Sequence, residues 1–179
     1  VVDLGDCGND GSFTGGFPVI GGGPAVVGGG QSITVECPEI NPDFPMHISG
    51  LVTLHLSVVP SFDGGQVFVE MQNMETGTRI GHATMDVRDH EGGYEPQTVI
   101  PGQEITMMME FQAMDVLLPA GHGLRFVMSE QGEDYLAPAC GPSCPVHVLP
   151  SSSILEIPII DRNTAPVLTV PQILEVEIS

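Results

Sequence analysis

From His47 to Val59 the chain alternates. Val52, Leu54, Leu56 and Val58 take one parity, while Thr53, His55 and Ser57 take the other. A period of two is the mark of a half-buried strand, because successive side chains point to opposite faces. Gln66 to Met74 repeats the pattern, setting Val67, Val69 and Met71 against Phe68, Glu70 and Gln72. Arg79 to Val87 predicts a third long strand. Gln103 to Ala113 predicts a fourth, with Ile105, Met107, Met109 and Phe111 on one side. The run Met107-Met108-Met109 then places two side chains in the core and one outside, as gap-filling packing rather than a metal-binding methionine box. Shorter strands are expected from Ile33 to Val35, around Leu124, Phe126 and Met128, from Val146 to Val148 and from Ile154 to Ile160. A last candidate is Ile173 to Ile178, where Leu174, Val176 and Ile178 oppose Glu175 and Glu177.

Turn chemistry separates these segments, as in Pro60-Ser61-Phe62-Asp63-Gly64-Gly65 and Glu75-Thr76-Gly77-Thr78. Val116 to Gly121 reads as a crossover rather than a helix, because Pro119 stops helical growth. Long helical periodicity is missing. Many short strands without helices bury their apolar faces by packing two antiparallel sheets together. The expected fold is therefore all-β, an antiparallel β-sandwich of jelly-roll type with extended N- and C-terminal segments. Its expected parts are a Gly-rich arm over residues 1–31, the sandwich over 32–160 and a C-terminal strand extension over 161–179. The arm carries Pro18-Val19-Ile20 and Ala25-Val26-Val27 between glycine triplets, and these apolar pieces predict docking rather than a free linker.

Composition sharpens this picture. The 179 residues include 4 Lys+Arg and 23 Asp+Glu, a formal net charge of −19. All four cations are arginines: Arg79, Arg88, Arg125 and Arg162. Such a chain repels phosphate backbones and anionic headgroups, which excludes nucleic acid and membrane surfaces as partners. No apolar run approaches the ~20 residues of a membrane-spanning helix. The chain begins Val1-Val2, which reads as a processed chain or an excised piece.

Four cysteines, Cys7, Cys37, Cys140 and Cys144, allow three pairings. Pairing within Cys140-Gly-Pro-Ser-Cys144 leaves Cys7 to meet Cys37. The competing reading is a zinc site, but the spacing is loose and His147 is the only nearby histidine. Disulfides are the expectation, and they point to an extracellular or cell-surface location. Hard oxygen donors that suit calcium recur in three places. They are Asp3, Asp6, Asn9 and Asp10; Asp86, Asp89, Glu91 and Glu95; and Glu130, Glu133 and Asp134. None fits the DxDxDG loop template, so each reads first as a solvated face, with structural calcium as the candidate cofactor. Tyr94 and Tyr135 are the exposed-loop aromatics that a carbohydrate site would use; packing is the competing role.

Nucleophilic catalysis needs a Ser or Cys beside a base and an orienter. No Gly-x-Ser-x-Gly elbow occurs. Nor do His47, His55, His82, His90, His122 and His147 form HxH, HxxH or HExxH. His55 is expected in solvent on a polar strand face. With 23 acids, chance carboxylate pairs carry no glycosidase signal. No catalytic residue is assigned.

Four pieces in order resemble one known domain: the C-terminal non-catalytic domain of the X-Pro dipeptidyl-peptidase and cocaine-esterase (CocE/NonD) group of serine hydrolases. They are Phe17-Pro18-Val19-Ile20-Gly21-Gly22, the strand His47 to Ser57, Leu118-Pro119-Ala120-Gly121-His122-Gly123-Leu124-Arg125-Phe126, and Ser151 to Ile160. The resemblance covers roughly residues 17 to 160. It implies a galactose-binding-like jelly roll that packs on a hydrolase domain, with the catalytic Ser, Asp and His upstream of this module. Departures are Gly123 where the group carries Arg, the methionine-rich middle strands, and residues 161–179, which run past the usual end. His122, singled out by the resemblance, is expected to be a turn residue bonding backbone.

Three functional readings follow. One is an accessory domain of a secreted hydrolase, with an apolar patch where the hydrolase domain sits. The alternative is a subunit of an extracellular filament or surface assembly. There Val19, Ile20, Val26, Val27, Leu174, Val176 and Ile178 would add strands to a second copy. A carbohydrate-binding module is the third.

Overall fold

The computed structural model describes residues 2–3, 25–28, 32–37, 44–92, 95–132, 140 and 144–160. Among these residues, strong alternation becomes strand. The long strands are β4 (Met46–Gly50), β5 (Thr53–Pro60), β6 (Gln66–Asn73), β7 (Arg79–Asp86), β8 (Ile105–Glu110), β9 (Met114–Leu118) and β10 (Leu124–Ser129). The other strands are β1 (Val2–Asp3), β2 (Ala25–Val27), β3 (Ile33–Cys37), β11 (Val146–Val148), β12 (Ile154–Glu156) and β13 (Ile159–Ile160). Among the described residues, helix is confined to single 3-10 turns at Val87–Asp89 and Pro150–Ser152. No described helix is long and apolar enough to cross a membrane.

All pairings are antiparallel. One layer is built on β5, which pairs with β8 along one edge and with β11 and β12 in succession along the other. β2 and β1 extend that layer outside β11 and β12. The facing layer has the order β3-β10-β6-β7. A third sheet, β13-β4-β9, is placed beside β7 by the approach of Met114 on β9 to Gly81 on β7. The inward parity of each strand meets in one core. Leu54, Leu56, Val58, Met107 and Met109 come from the first layer, Val67, Val69, Met71 and Phe126 from the second, and Ile48 and Leu118 from the third. Each such side chain contributes roughly 1.5–3 kcal/mol by leaving water. Met108, by contrast, is 41% exposed, as the methionine run predicts.

The structure corrects the sequence reading at five places. His47 to Val59 is two strands, because the chain turns between sheets at Gly50, where φ is +128°. Ile154 to Ile160 breaks at the same level, because Pro158 has no N–H to give a ladder. The Pro158 ring sits against Gly50, and its carbonyl accepts from the Ser49 N–H at 3.0 Å. Val116 to Leu118 is not a crossover: it is the second half of β9, paired to β4, and Pro119 follows its last residue. Ala25–Val27, placed in the arm, is β2, whose partner is β11 of the same chain. Phe68, on the polar parity of β6, is nevertheless buried under Gly132, where a Cβ would overlap its ring. The candidate strand at 173–178 lies outside the described residues.

Candidate functional site

Alternation sends one set of side chains from the four-stranded sheet outward, and register aligns them across strands. Glu36 on β3 stands beside Arg125 on β10, and Arg125 beside Gln72 on β6. One residue-pair along, Thr34, Val127, Glu70 and His82 form a second row across the same four strands. Arg125 donates from Nε and Nη2 to a single Glu36 oxygen, each at 2.8 Å. The Gln72 amide donates to Glu70 Oε1 at 2.6 Å. Arg79 approaches the other Glu70 oxygen at 3.8 Å. Glu70, Gln72 and Arg79, with Phe68, Val127, Ser129, Gln131 and Gly132, border an open groove of about 350 Å³, and the Arg125–Glu36 pair stands outside its lining. Phe68 lies 5.8 Å from the His82 ring, tilted 30°. Two of the chain's four cations thus stand on one face, balanced by two carboxylates.

A second cleft, of about 340 Å³, opens where β4–β5 and β12–β13 turn, between Leu51, Thr53, Glu156, Ile157 and Pro158. His55 is a third exposed rather than fully solvated, and lies 3.8 Å from Glu156.

Serine, histidine and acid do gather on the outer face of β4 and β9. His47 Nε2 bonds Asp115, whose carboxyl is held below the usual range first by that bond and then by the charge, with a further bond from Ser49. The order is wrong for nucleophilic catalysis. The carboxylate stands between the other two, so the Ser49 hydroxyl is bonded to the acid and not to the imidazole that would act as its base in a triad. The Asp115 side chain is also 74% exposed, on a flat sheet face.

His122 bonds a side chain rather than backbone, which corrects the expectation. Its Nδ1 lies 2.9 Å from Asn73 Nδ2 and 3.2 Å from Asn73 Oδ1, so the ring pairs with the Asn73 side-chain amide. Asn73 Oδ1 accepts from the Glu75 and Thr76 N–H groups, and Glu75 accepts from the Gly123 N–H at 3.0 Å. The β6–β7 turn is thereby tied to the β9–β10 turn, and His122 is a brace.

Among the described residues the acidic groups do not converge. Asp86 caps the 3-10 turn and forms a two-pronged pair with Arg88, at 2.9 and 2.8 Å. Burial pushes its carboxyl up, but the Arg88 hydrogen bonds and charge outweigh burial and hold it below its ordinary value. Among the described residues, no three of His, Cys, Asp and Glu gather as a metal set, so Asp86, Asp89 and Glu91 share none. Glu130 is half-buried on the β10 end, where its carbonyl accepts from Gln66. Asp3 is described only as backbone in β1. Asp6, Asn9, Asp10, Glu133, Asp134, Tyr94 and Tyr135 lie outside the described residues. So do Cys7, Val19, Ile20, Leu174, Val176 and Ile178. Val26 and Val27 lie in β2, within the chain's own sheet. Cys140 and Cys144 form a disulfide, and buried Cys37 is also disulfide-bonded. The groove on the four-stranded sheet was missed from sequence. Its only signal was the polar parity of Glu70 and Gln72.

The architecture is that of a β-sandwich module in which the Ser49, His47 and Asp115 cluster is wired out of order. Comparison with known proteins identifies the module further. A family profile described as the X-Pro dipeptidyl-peptidase C-terminal non-catalytic domain matches residues 43–144, more than half of the chain. The chain belongs to that family. A search of curated protein sequences found no match.

Solved structures share the fold. An α-amino acid ester hydrolase aligns with TM-score 0.57 at 14% identity, over 72% of this chain and 25% of its own. An aminopeptidase from a marine sediment Thaumarchaeota archaeon gives 0.58 at 11%, over 73% and 26%. A CocE/NonD family hydrolase from Staphylococcus aureus gives 0.57 at 12%, over 76% and 32%. The chain therefore spans between a quarter and a third of the structures it matches.

Proposed function

We propose that this chain is an accessory module that works by packing on a catalytic hydrolase domain, outside the cell or at its surface. The family supports the non-catalytic half of that reading. The observation that carries the packing half is the outer face of the β13-β4-β9 sheet. Ile160 and Leu117 flank His47 in register there, and are 44% and 48% exposed. Exposed apolar side chains gathered on a sheet face mark a surface that another protein covers. The Cys140–Cys144 disulfide supports the extracellular location.

Strand exchange between copies is the weaker reading. The Val26–Val27 segment that would supply it already completes the chain's own first layer.

The test joins the chain to an upstream hydrolase catalytic domain and introduces Leu117→Asp with Ile160→Asp. Packing predicts that the melting temperature falls in the joined protein and stays unchanged in the chain alone. Equal effects in both would contradict it. The chain alone should also leave X-Pro-nitroanilide and ester substrates unhydrolysed.

A further inference from the structure

We propose that the packing face carries a pH-sensitive switch: covering the β13-β4-β9 sheet takes up one proton at His47, so the module holds its partner domain more tightly as pH falls. This inference rests on the packing reading and adds regulation to it. The face sets a titratable couple inside an apolar frame. Leu117 and Ile160 oppose His47 in register from either side, and Asp115 is one step along the same face of β9. Opposed side chains stand roughly 4.5–5.5 Å apart at Cβ. A surface that covers both apolar side chains therefore covers the imidazole between them and the carboxylate bonded to it.

Covering changes the cost of each charge state. His47 Nε2 bonds Asp115. A carboxylate only accepts, so Nε2 carries the hydrogen and the incoming proton goes from solvent to Nδ1. Asp115 stays ionised at neutral pH, because the His47 bond and then its charge hold the carboxyl below the ordinary range. In the open module water solvates this carboxylate, whose side chain is 74% exposed. With a neutral imidazole, covering the face takes an uncompensated negative charge out of water. With a protonated one it takes out a pair whose charges sum to zero, which costs less. The covered state thus binds the proton more tightly than the open state. By linkage, docking is strongest at low pH and weakens as pH rises. Histidine changes charge between about pH 5 and 8, which sets the window. One proton limits the effect to about tenfold in the docking equilibrium per pH unit.

The groups facing His47 are few. β9 presents Leu117 and Asp115, β13 presents Ile160, and the next same-face residue of β4 is Ser49. Among the described residues of these three strands, His47 and Asp115 are the titratable ones. Asp161 and Arg162 follow Ile160 outside the described residues. Variants at His47 and Asp115 separate the couple from them.

The experiment compares the chain alone with the chain joined to an upstream hydrolase catalytic domain, between about pH 5.5 and 8.5. Docking is read as the extra melting temperature of the module in the joined protein, and separately as protection of Leu117 and Ile160 from hydroxyl radicals. In the wild type the extra melting temperature is expected to shrink as pH rises. His47→Gln keeps a donor toward Asp115 but takes up no proton, so its profile is expected to be level. Asp115→Asn leaves an imidazolium with no carboxylate, so its profile is expected to reverse and docking to strengthen as pH rises. A level wild-type profile with Leu117 and Ile160 still protected would overturn the switch and leave packing standing. So would a wild-type slope in His47→Gln, or in Asp115→Asn. No protection at any pH would overturn packing and the switch together.

Discussion

The Ser57 backbone N–H donates to the Ser153 hydroxyl at 3.0 Å, across a break in the first layer. The 3-10 turn at Pro150–Ser152 interrupts the strand that runs along β5 as β11 and then β12. At that gap, side chains replace ladder bonds. Ser153 Oγ donates onward to the Leu149 carbonyl at 2.8 Å, and Ser57 Oγ donates to the Ser152 carbonyl at 2.9 Å. Ser153 is fully buried. Ser153→Ala therefore strands a donor and an acceptor away from water and should cost about 1–3 kcal/mol. A chemical denaturation midpoint measures it. The neighbouring Ser152→Ala should move stability by no more than about 0.5 kcal/mol, because its side chain is exposed.

Gly65 and Gly77 both have positive φ, at +144° and +67°. Their surroundings differ. A Cβ at Gly65 would meet Val146 at 2.8 Å and the Cys144 carbonyl at 3.2 Å, while Gly77 faces open space. Gly77→Ala should cost about 1–2 kcal/mol from backbone strain alone. Gly65→Ala adds a clash with β11 and should cost about 2–4 kcal/mol. Equal melting temperatures for the two variants would show that β11 is not seated against Gly65.

The Asp86–Arg88 pair sets an acid limit. Burial raises the Asp86 carboxyl, but the Arg88 bonds and charge win, so its folded value lies below the ordinary 3.8. A depressed carboxylate contributes stability that is present above its unfolded value and is lost as pH falls through its folded one. The loss therefore belongs below about pH 4. Arg88 is 42% exposed, so the pair is worth less than about 1 kcal/mol after solvent screening. In Asp86→Asn the stability curve should flatten in that window and match the wild type's shape above it. Urea midpoints between pH 2 and 6 read this out.

Removing the Cys140–Cys144 link should cost about 2 kcal/mol, the loop-closure entropy of a five-residue ring. The paired Ser variant should unfold earlier in denaturant with an unchanged slope. A changed slope would mean that the bridge shapes the native state as well as the unfolded chain.

Parity was legible along the chain; neighbourhood was not. Leu54, Leu56 and Val58 point inward because a strand's period leaves no alternative once one face is apolar. The break at Gly50 was invisible for the same reason. Ile48, Val52 and Leu54 keep one parity across it, so the pattern runs on while the chain changes sheets. β9 was hidden because Leu117 and Leu118 are both apolar, which blurs alternation, although one is exposed and the other buried. The outer face of the four-stranded sheet was the least legible feature. Arg125 and Glu36 lie 89 positions apart, and only the register of β3 on β10 makes them partners. His122 was found by its Gly-His setting, but its Asn73 partner comes from a turn 49 positions away.

Hydroxyl-radical footprinting at Leu117 and Ile160 tests the packing account most directly, comparing the chain alone with the chain joined to a catalytic domain. Packing predicts strong labelling of both side chains in the isolated module and marked protection in the joined protein, with exposed Phe62 as a reference away from the contact. Equal labelling of Leu117 and Ile160 in the two samples would contradict it.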